Sequence, residues 1–232
     1  MTKSPYNNVY AAPVLTTDFV VFSIQNNRLM VLLIKRLDEP FINEWALPGG
    51  YIPAGETTVQ GSRRIMAKKV GLDILEDLSY MEQLYTFDMV ARDPRGHAVS
   101  VTYFGCLRTV KENQLRPNAA FFPVDELPPL AFDHDNIIHY AHKRIASKIS
   151  YTNLASAFLN KEFTLTSLQK VYESVYGHKL DKRNFRKKIL KFDILNKTEH
   201  METGKVQRPA RLYKFKSNKI EEISEFAKEA QD

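Results

Sequence analysis

Residues 45 to 72, WALPGGYIPAGETTVQGSRRIMAKKVGL, commit the chain to a strand, a tight turn and a helix in that order. Trp45-Ala46-Leu47 reads as a short strand ended by the turn Pro48-Gly49-Gly50. Residues 57 to 70 read as a helix, with Glu56 beside its positive end and Gly71 as its C-terminal stop. Gly61 inside that helix costs about 1 kcal/mol relative to alanine. Positions 65, 68 and 69 lie three and four residues apart, so they share one helix face. That face carries Ile65, Lys68 and Lys69, one apolar group and two ammonium groups.

Residues 50 to 72 resemble the 23-residue Nudix box, with Gly50, Glu56, Arg64, Gly71 and Leu72 in register. The three later glutamate positions of the box hold Ile65, Lys68 and Lys69 instead. In a working Nudix enzyme these carboxylates hold hard divalent cations against a pyrophosphate. Lysines add positive charge where the cation would sit. At 4 Å two like charges repel by about 4 kcal/mol at an effective dielectric near 20. The resemblance therefore implies the shape of a nucleoside-diphosphate site without its metal chemistry: no catalytic residue, no metal, no cofactor. Lys68 and Lys69 read either as a solvated face or as stand-ins for the metal that pair with a ligand's phosphates.

The elements around the box fit an α+β fold of the Nudix type, a helix-sheet-helix sandwich over residues 13 to 148. Residues 19 to 24 and 29 to 34 are apolar runs joined by Gln25-Asn26-Asn27-Arg28, a hairpin. Further strands are expected at 80 to 90, 97 to 108 and 119 to 124. Asp133-His134-Asp135 then caps a helix with Ile137, Ile138, Tyr140, Ala141 and Ile145 inward. The loop from Asp88 to His97, with its following strand, resembles the ADP-ribose-type branch of Nudix proteins. Arg92 or Arg95 could fork onto a diphosphate, and Tyr85, Phe87 or Tyr103 could stack on a base or ribose. Arg36, Trp45 and Glu56 complete the candidate ligand set. The plainer reading makes Asp93-Pro94-Arg95-Gly96 a surface turn. His97, His134, His139 and His142 show no metal-ligand spacing.

Charge divides the chain. Residues 1 to 150 hold 16 Lys+Arg and 16 Asp+Glu, whereas residues 151 to 232 hold 17 and 11, so the whole +6 lies in the last third. A neutral part joined to a basic part points to two jobs, the second with a polyanion. We divide the chain accordingly into a neutral, Nudix-like domain at 1–150 and a basic domain at 151–232. The boundary region, Ser147 to Asn160, reads as a helical connector. The single Cys106 reads as a packed core thiol. No apolar run approaches a membrane span of roughly 18 residues, which places the protein in the cytoplasm.

In the basic part, Leu168, Val171, Tyr172 and Val175 stripe a helix stopped by Gly177. Asp181 can N-cap a second helix from Lys182 to about Phe192, with Phe185, Ile189 and Phe192 on one inward stripe. Two strand-like runs, 194 to 199 and 210 to 215, close the unit. Helix, turn, basic helix and β-ribbon make a winged helix-turn-helix. Arg183 and Asn184 could read bases, since arginine forks onto guanine and asparagine onto adenine. Arg186, Lys187 and Lys191 would grip phosphate, Lys182 completes the DNA-binding set on this helix, and Lys205, Gln207, Arg208 and Arg211 on the wing can reach the backbone or minor groove. The alternative is a solvated basic helix in an interaction module. Residues 219 to 232 turn acidic and read as a terminal helix or tail.

The tracts Tyr172 to Gly177, Asp181 to Lys187 and Arg208 to Tyr213 complete the pattern, and the chain resembles the NrtR family of Nudix-related transcriptional regulators. That resemblance implies a homodimer whose Nudix domains sense ADP-ribose or a related nucleotide. Its winged helices would bind a palindromic double-stranded operator and repress NAD biosynthesis or salvage genes. Relatives of the same architecture bind a pentose and control sugar catabolism, and a nucleic-acid-tethered Nudix hydrolase is the rival from the enzyme class.

Overall fold

Alternation along the first two strands decides the layering of the molecule. The computed structural model describes residues 12–109, 114–202 and 209–223. Strands β1 (Val14–Gln25) and β2 (Arg28–Lys35) send successive side chains to opposite faces of one sheet. Phe19, Val21, Leu32 and Ile34 join Met66, Val70 and Leu72 in one core. Val20, Phe22, Val31 and Leu33 join Ile137, Ile138, Ala141 and Ile145 in the other. A helix covers each face, so the first unit is an α/β/α sandwich.

The remaining strands extend that sheet. Asn26 and Asn27 both take positive φ, 51° and 59°, as a two-residue type I′ hairpin requires. Strands β3 (Trp45–Ala46) and β4 (Gly49–Tyr51) follow, β3 pairing with β2 and β4 with β1. Strand β5 (Tyr80–Phe87) lies antiparallel to β6 (Ala98–Cys106), which runs parallel to β1. Strand β7 (Ala119–Pro123) pairs antiparallel with β2. Cys106 is buried, which pushes its thiol pKa up and keeps it inert.

The box helix α1 (Thr58–Lys69) opens with a capping box. Gln60 N–H donates to the Thr57 hydroxyl at 3.2 Å, and Thr57 N–H donates to the Gln60 side-chain Oε1 at 2.8 Å. Gly61 has a packing reason: a Cβ there would stand 2.1 Å from Ile52 Cδ1. The Ile52 side chain packs into the space that glycine leaves on the helix. Helix α2 (His134–Tyr151) runs longer than expected and absorbs the start of the connector. Asp133 precedes it without a side-chain capping bond. Tyr140, expected inward, is 36% exposed and contacts the rings of Tyr85 and Phe87.

After α2 a buried 3-10 turn at Leu154–Phe158 leads into β8 (Phe163–Thr164) and α3 (Leu165–Tyr176). Thr164 caps α3 by accepting from Ser167 N–H, and Asp181 caps α4 (Lys182–Lys191) by accepting from Asn184 N–H at 2.8 Å. Strands β9 (Leu195–Glu202) and β10 (Ala210–Phe215) make the wing, in a sheet ordered β8-β10-β9. This is a winged helix-turn-helix.

Leu154, Leu168, Val175 and Ile189 belong to the same apolar cluster as Val20 and Ile145, so one core runs through both units. His142 Nε2–H donates to the Val175 carbonyl at 2.7 Å, linking α2 to α3. The chain returns to the connector at its far end, where Ile223 N–H donates to the Tyr151 carbonyl at 2.8 Å. Residues 219 to 223 are therefore strapped to the body rather than forming a helix; residues 224–232 of the expected tail lie outside the described residues. Among the described residues no helix is long and apolar enough to cross a membrane.

Candidate functional site

A cavity of about 320 Å³ opens where β1, the end of β2, β4 and the last turn of α1 converge. That size lies at the small end of ligand pockets, about 300–1,000 Å³. Its lining joins Asp18, residues 34–39, Gly49, Gly50, Tyr51 and Lys69 with Arg92, Asp93, Arg95, Asn118, Phe132 and His134.

The floor is a buried polar cluster. Arg92 Nε and Nη2 donate to the two Asp133 oxygens at 3.0 and 2.8 Å, and Nη2 also reaches Asp18 Oδ2 at 3.2 Å. The Ser100 hydroxyl donates to the same Asp18 oxygen at 2.7 Å. Leu47 N–H donates to His134 Nδ1 at 2.9 Å, so the proton of the neutral ring sits on Nε2, 3.6 Å from Asp18 Oδ1. Burial lowers the His134 pKa and keeps the ring neutral at physiological pH. Glycine is needed above this floor, since a Cβ on Gly49 would stand 2.0 Å from Asp18 Oδ1.

Cations form the walls. Lys69 Nζ donates to the Gly49 carbonyl at 2.7 Å. Arg36 Nε and Nη2 donate to the carbonyls of Pro40 and Asp38 at 2.7 and 3.1 Å. All three acceptors are main-chain carbonyls, which aim the cations without cancelling their charge. Burial first, and the neighbouring Arg36 second, lower the Lys69 pKa. Arg36 is lowered in the same way by burial and then by Arg95. Arg95 is forked onto Asp93 at 2.9 and 2.6 Å. Phe132 lies beneath both guanidiniums, 4.7 Å from that of Arg36 and 5.7 Å from that of Arg95. Phe132 takes a φ of 60°, a conformation that a bulky residue holds only under constraint. The arrangement suits a dianionic or diphosphate group against the Arg36–Lys69 wall.

Of the ten candidate ligand residues, Arg36, Lys69, Arg92 and Arg95 meet at this cavity. Arg92 is corrected from phosphate fork to buried strut, because Asp133 and Asp18 occupy its Nε and Nη2. The other six lie off the cavity lining. Lys68 is exposed on the outer face of α1. Glu56 is forked by Arg64, whose Nε and Nη2 donate at 2.9 and 2.6 Å. Trp45 packs edge-on against Phe122 at 4.7 Å. Tyr103 is buried in the α1-side core, its hydroxyl 2.7 Å from that of Thr58. Tyr85 and Phe87 form their aromatic group with Tyr140.

Asp18, Tyr51, Asp93, Phe132 and His134 are pocket residues that sequence reasoning missed. Asp18 carried a usable signal, a carboxylate inside the apolar strand Thr16-Thr17-Asp18-Phe19-Val20. A charge there must be paired or functional. Phe132 carried none.

On α4, Lys182, Arg183, Asn184 and Lys187 are exposed on the side away from buried Ile189, and Lys191 is exposed as well. Arg186 is half-buried, and its Nη2 donates to the Thr166 hydroxyl at 3.3 Å, tying α4 to α3. Arg211 Nη1 donates across the wing to the Thr198 carbonyl at 3.2 Å. Lys205, Gln207 and Arg208 lie outside the described residues. The exposed cations form one basic helix face presented beside a β-ribbon, the geometry that enters a major groove.

The NUDIX domain family matches residues 14–141, and the NrtR DNA-binding winged helix domain matches residues 155–215. The ADPR responsive transcriptional repressor NtrR of Acinetobacter baylyi is 32% identical over 214 residues, covering 89% of this chain and 83% of that protein. The crystal structure of Shewanella oneidensis NrtR complexed with a 27mer DNA aligns with a TM-score of 0.72 at 32% identity, over 87% of this chain and 93% of that one. The NUDIX domain of the Shewanella protein complexed with ADP ribose aligns with a TM-score of 0.51 at 32% identity, over 62% of this chain and 99% of that one.

Proposed function

Because this chain belongs to the NrtR family of Nudix-related regulators, we propose that it is a transcriptional repressor responsive to ADP-ribose. Residues 1–150 sense the nucleotide, residues 151–232 hold operator DNA, and the genes controlled serve NAD biosynthesis or salvage. Two such chains in the cytoplasm form a dimer on a palindromic operator, each winged helix taking one half-site. The observation that carries this reading is the joining of a cation-walled cavity to a basic winged helix through one continuous core.

The ligand acts by binding one arrangement of the two units better than the other. A coupling of about 1–3 kcal/mol changes operator affinity by about 5- to 150-fold. The contacts that transmit it are α2 against α3, with His142 bonded to the Val175 carbonyl, and Ser79 Oγ–H donating to the Ala157 carbonyl at 2.6 Å. Each spans the boundary between the units.

The Nudix unit holds its ligand uncut. Three of the four acidic positions of the box are Ile65, Lys68 and Lys69, and the fourth, Glu56, is neutralised by Arg64. Thermal denaturation tests this reading: ADP-ribose raises the melting temperature, and prolonged incubation with Mg²⁺ releases no AMP. Release of AMP at an enzymatic rate would make the protein a hydrolase.

A further inference from the structure

The residues at the box do not fit a divalent cation. Hard cations take six or more oxygen ligands, or keep waters between one or two carboxylates. Ile65 fills its position with a methyl group that packs against Gly50, 3.3 Å from where a Cβ would stand. Lys69 brings its ammonium to the same glycine pair, bonded to the Gly49 carbonyl at 2.7 Å. Glu56, the carboxylate that remains, is taken by the Arg64 fork.

We propose that Lys69 is a built-in replacement for the divalent cation, so that the cavity holds a diphosphate without metal. The proposal rests on the effector reading of this cavity and names the chemistry by which it works. Lys69 reaches the cavity from the last turn of α1, and one of its three ammonium protons is spent on Gly49. Two donors remain for phosphate oxygens. Among the described residues Lys69 forms no ion pair, and the nearby Asp18 and Asp38 carboxylates favour its charged form less than burial and Arg36 disfavour it. Arg36 stands close enough to depress its pKa, which places two aimed cations on one wall. An arriving diphosphate relieves both their repulsion and the cost of burying Lys69. A metal ion at the same place would meet that repulsion instead.

The neighbouring Lys68 supplies the internal control. It has the same chemistry one residue away, but it is exposed and outside the cavity.

Isothermal titration of the full chain tests this with two probes, inorganic pyrophosphate in EDTA and ADP-ribose with and without Mg²⁺. Wild type binds pyrophosphate in EDTA, and its ADP-ribose affinity changes by less than about 2-fold when Mg²⁺ is added. Lys69→Met weakens both probes about 10- to 100-fold, with no rescue by Mg²⁺, while Lys68→Met leaves both unchanged. Lys69→Glu weakens binding further in EDTA and regains part of it in Mg²⁺, because a carboxylate restores a metal ligand. ADP-ribose binding that requires Mg²⁺, or a Lys69→Met variant that binds like wild type, overturns the proposal. So does failure of wild type to bind pyrophosphate. Metal-free pyrophosphate binding without ADP-ribose binding leaves Lys69 as the cation and overturns the ADP-ribose reading alone.

Discussion

Lys69 Nζ and the Gly49 carbonyl stand 2.7 Å apart, and this bond pins the end of the box helix to the turn that begins the box. It converts a lysine that a sequence places on a helix face into a wall of the cavity. With Arg36 held by two carbonyls on the same wall, the pocket has positive charge aimed inward.

The state of Lys69 makes ligand binding sensitive to alkaline pH. Burial, then Arg36, lowers its pKa below the ordinary lysine value of 10.5. Binding needs the ammonium, so ADP-ribose affinity is flat near neutrality and declines as pH rises through that lowered pKa. Arg36 and Arg95 keep their charge throughout, so Lys69→Met abolishes the decline. The ligand-free protein shows the opposite sign: loss of the Lys69 proton between its folded pKa and 10.5 adds stability, because the unfolded chain binds more protons there. Titration calorimetry and urea melts across that window read both limbs.

Arg92 supports the floor rather than the ligand. Its side chain is 5% exposed between two carboxylates that are 6% and 8% exposed. Arg92→Met leaves Asp18 and Asp133 buried without their cation and costs about 3–5 kcal/mol in urea denaturation. A loss below about 1 kcal/mol would show that the cluster is not what holds the loop before β6 against α2.

These two arginines and two lysines show what a sequence can and cannot disclose. The strands, both helices of the sandwich and the winged unit were legible because alternation, capping residues and glycine stops are local signals. Asn26-Asn27 and Asp181 are examples. The division of labour within the pocket was not local. Lys68 and Lys69 are identical in kind and adjacent, and only the direction of the last helical turn separates them. Arg92 and Arg95 sit three apart in one loop, yet Asp18 and Asp133, 74 and 41 residues away, hold the first in the floor, while the second forks onto its neighbour Asp93. Tyr85, Phe87 and Tyr103 read as stacking candidates because they are aromatic near the loop, but strand pleat sends them to other faces. Asp18 was the overlooked clue.

His142 is predicted to carry coupling rather than binding. Its bond to the Val175 carbonyl is a polar link between the sandwich and α3. His142→Ala leaves ADP-ribose affinity within about 2-fold but reduces the ligand-dependent change in DNA affinity, by about 0.5–2 kcal/mol. An unchanged shift would move the transmission to the apolar part of the interface.

On α4 the roles separate by salt dependence. Lys187→Ala removes a phosphate contact and lowers the slope of log K against log salt by about 0.9, weakening all sequences alike. Arg183→Ala, near the N-terminal end of the helix, relaxes discrimination at one base pair by about 1–3 kcal/mol. Equal effects of both on all sequences would place Arg183 on the backbone too.

The most direct test joins the two halves of the molecule. Fluorescence anisotropy of a labelled operator duplex, selected by the protein from a random duplex library, is followed as ADP-ribose is titrated in EDTA. The account predicts a shift in operator affinity of about 5- to 150-fold in wild type without metal, and no shift at the same ligand concentration in Lys69→Met. Operator binding that is indifferent to saturating ADP-ribose, or a shift that appears only when Mg²⁺ is present, would contradict it.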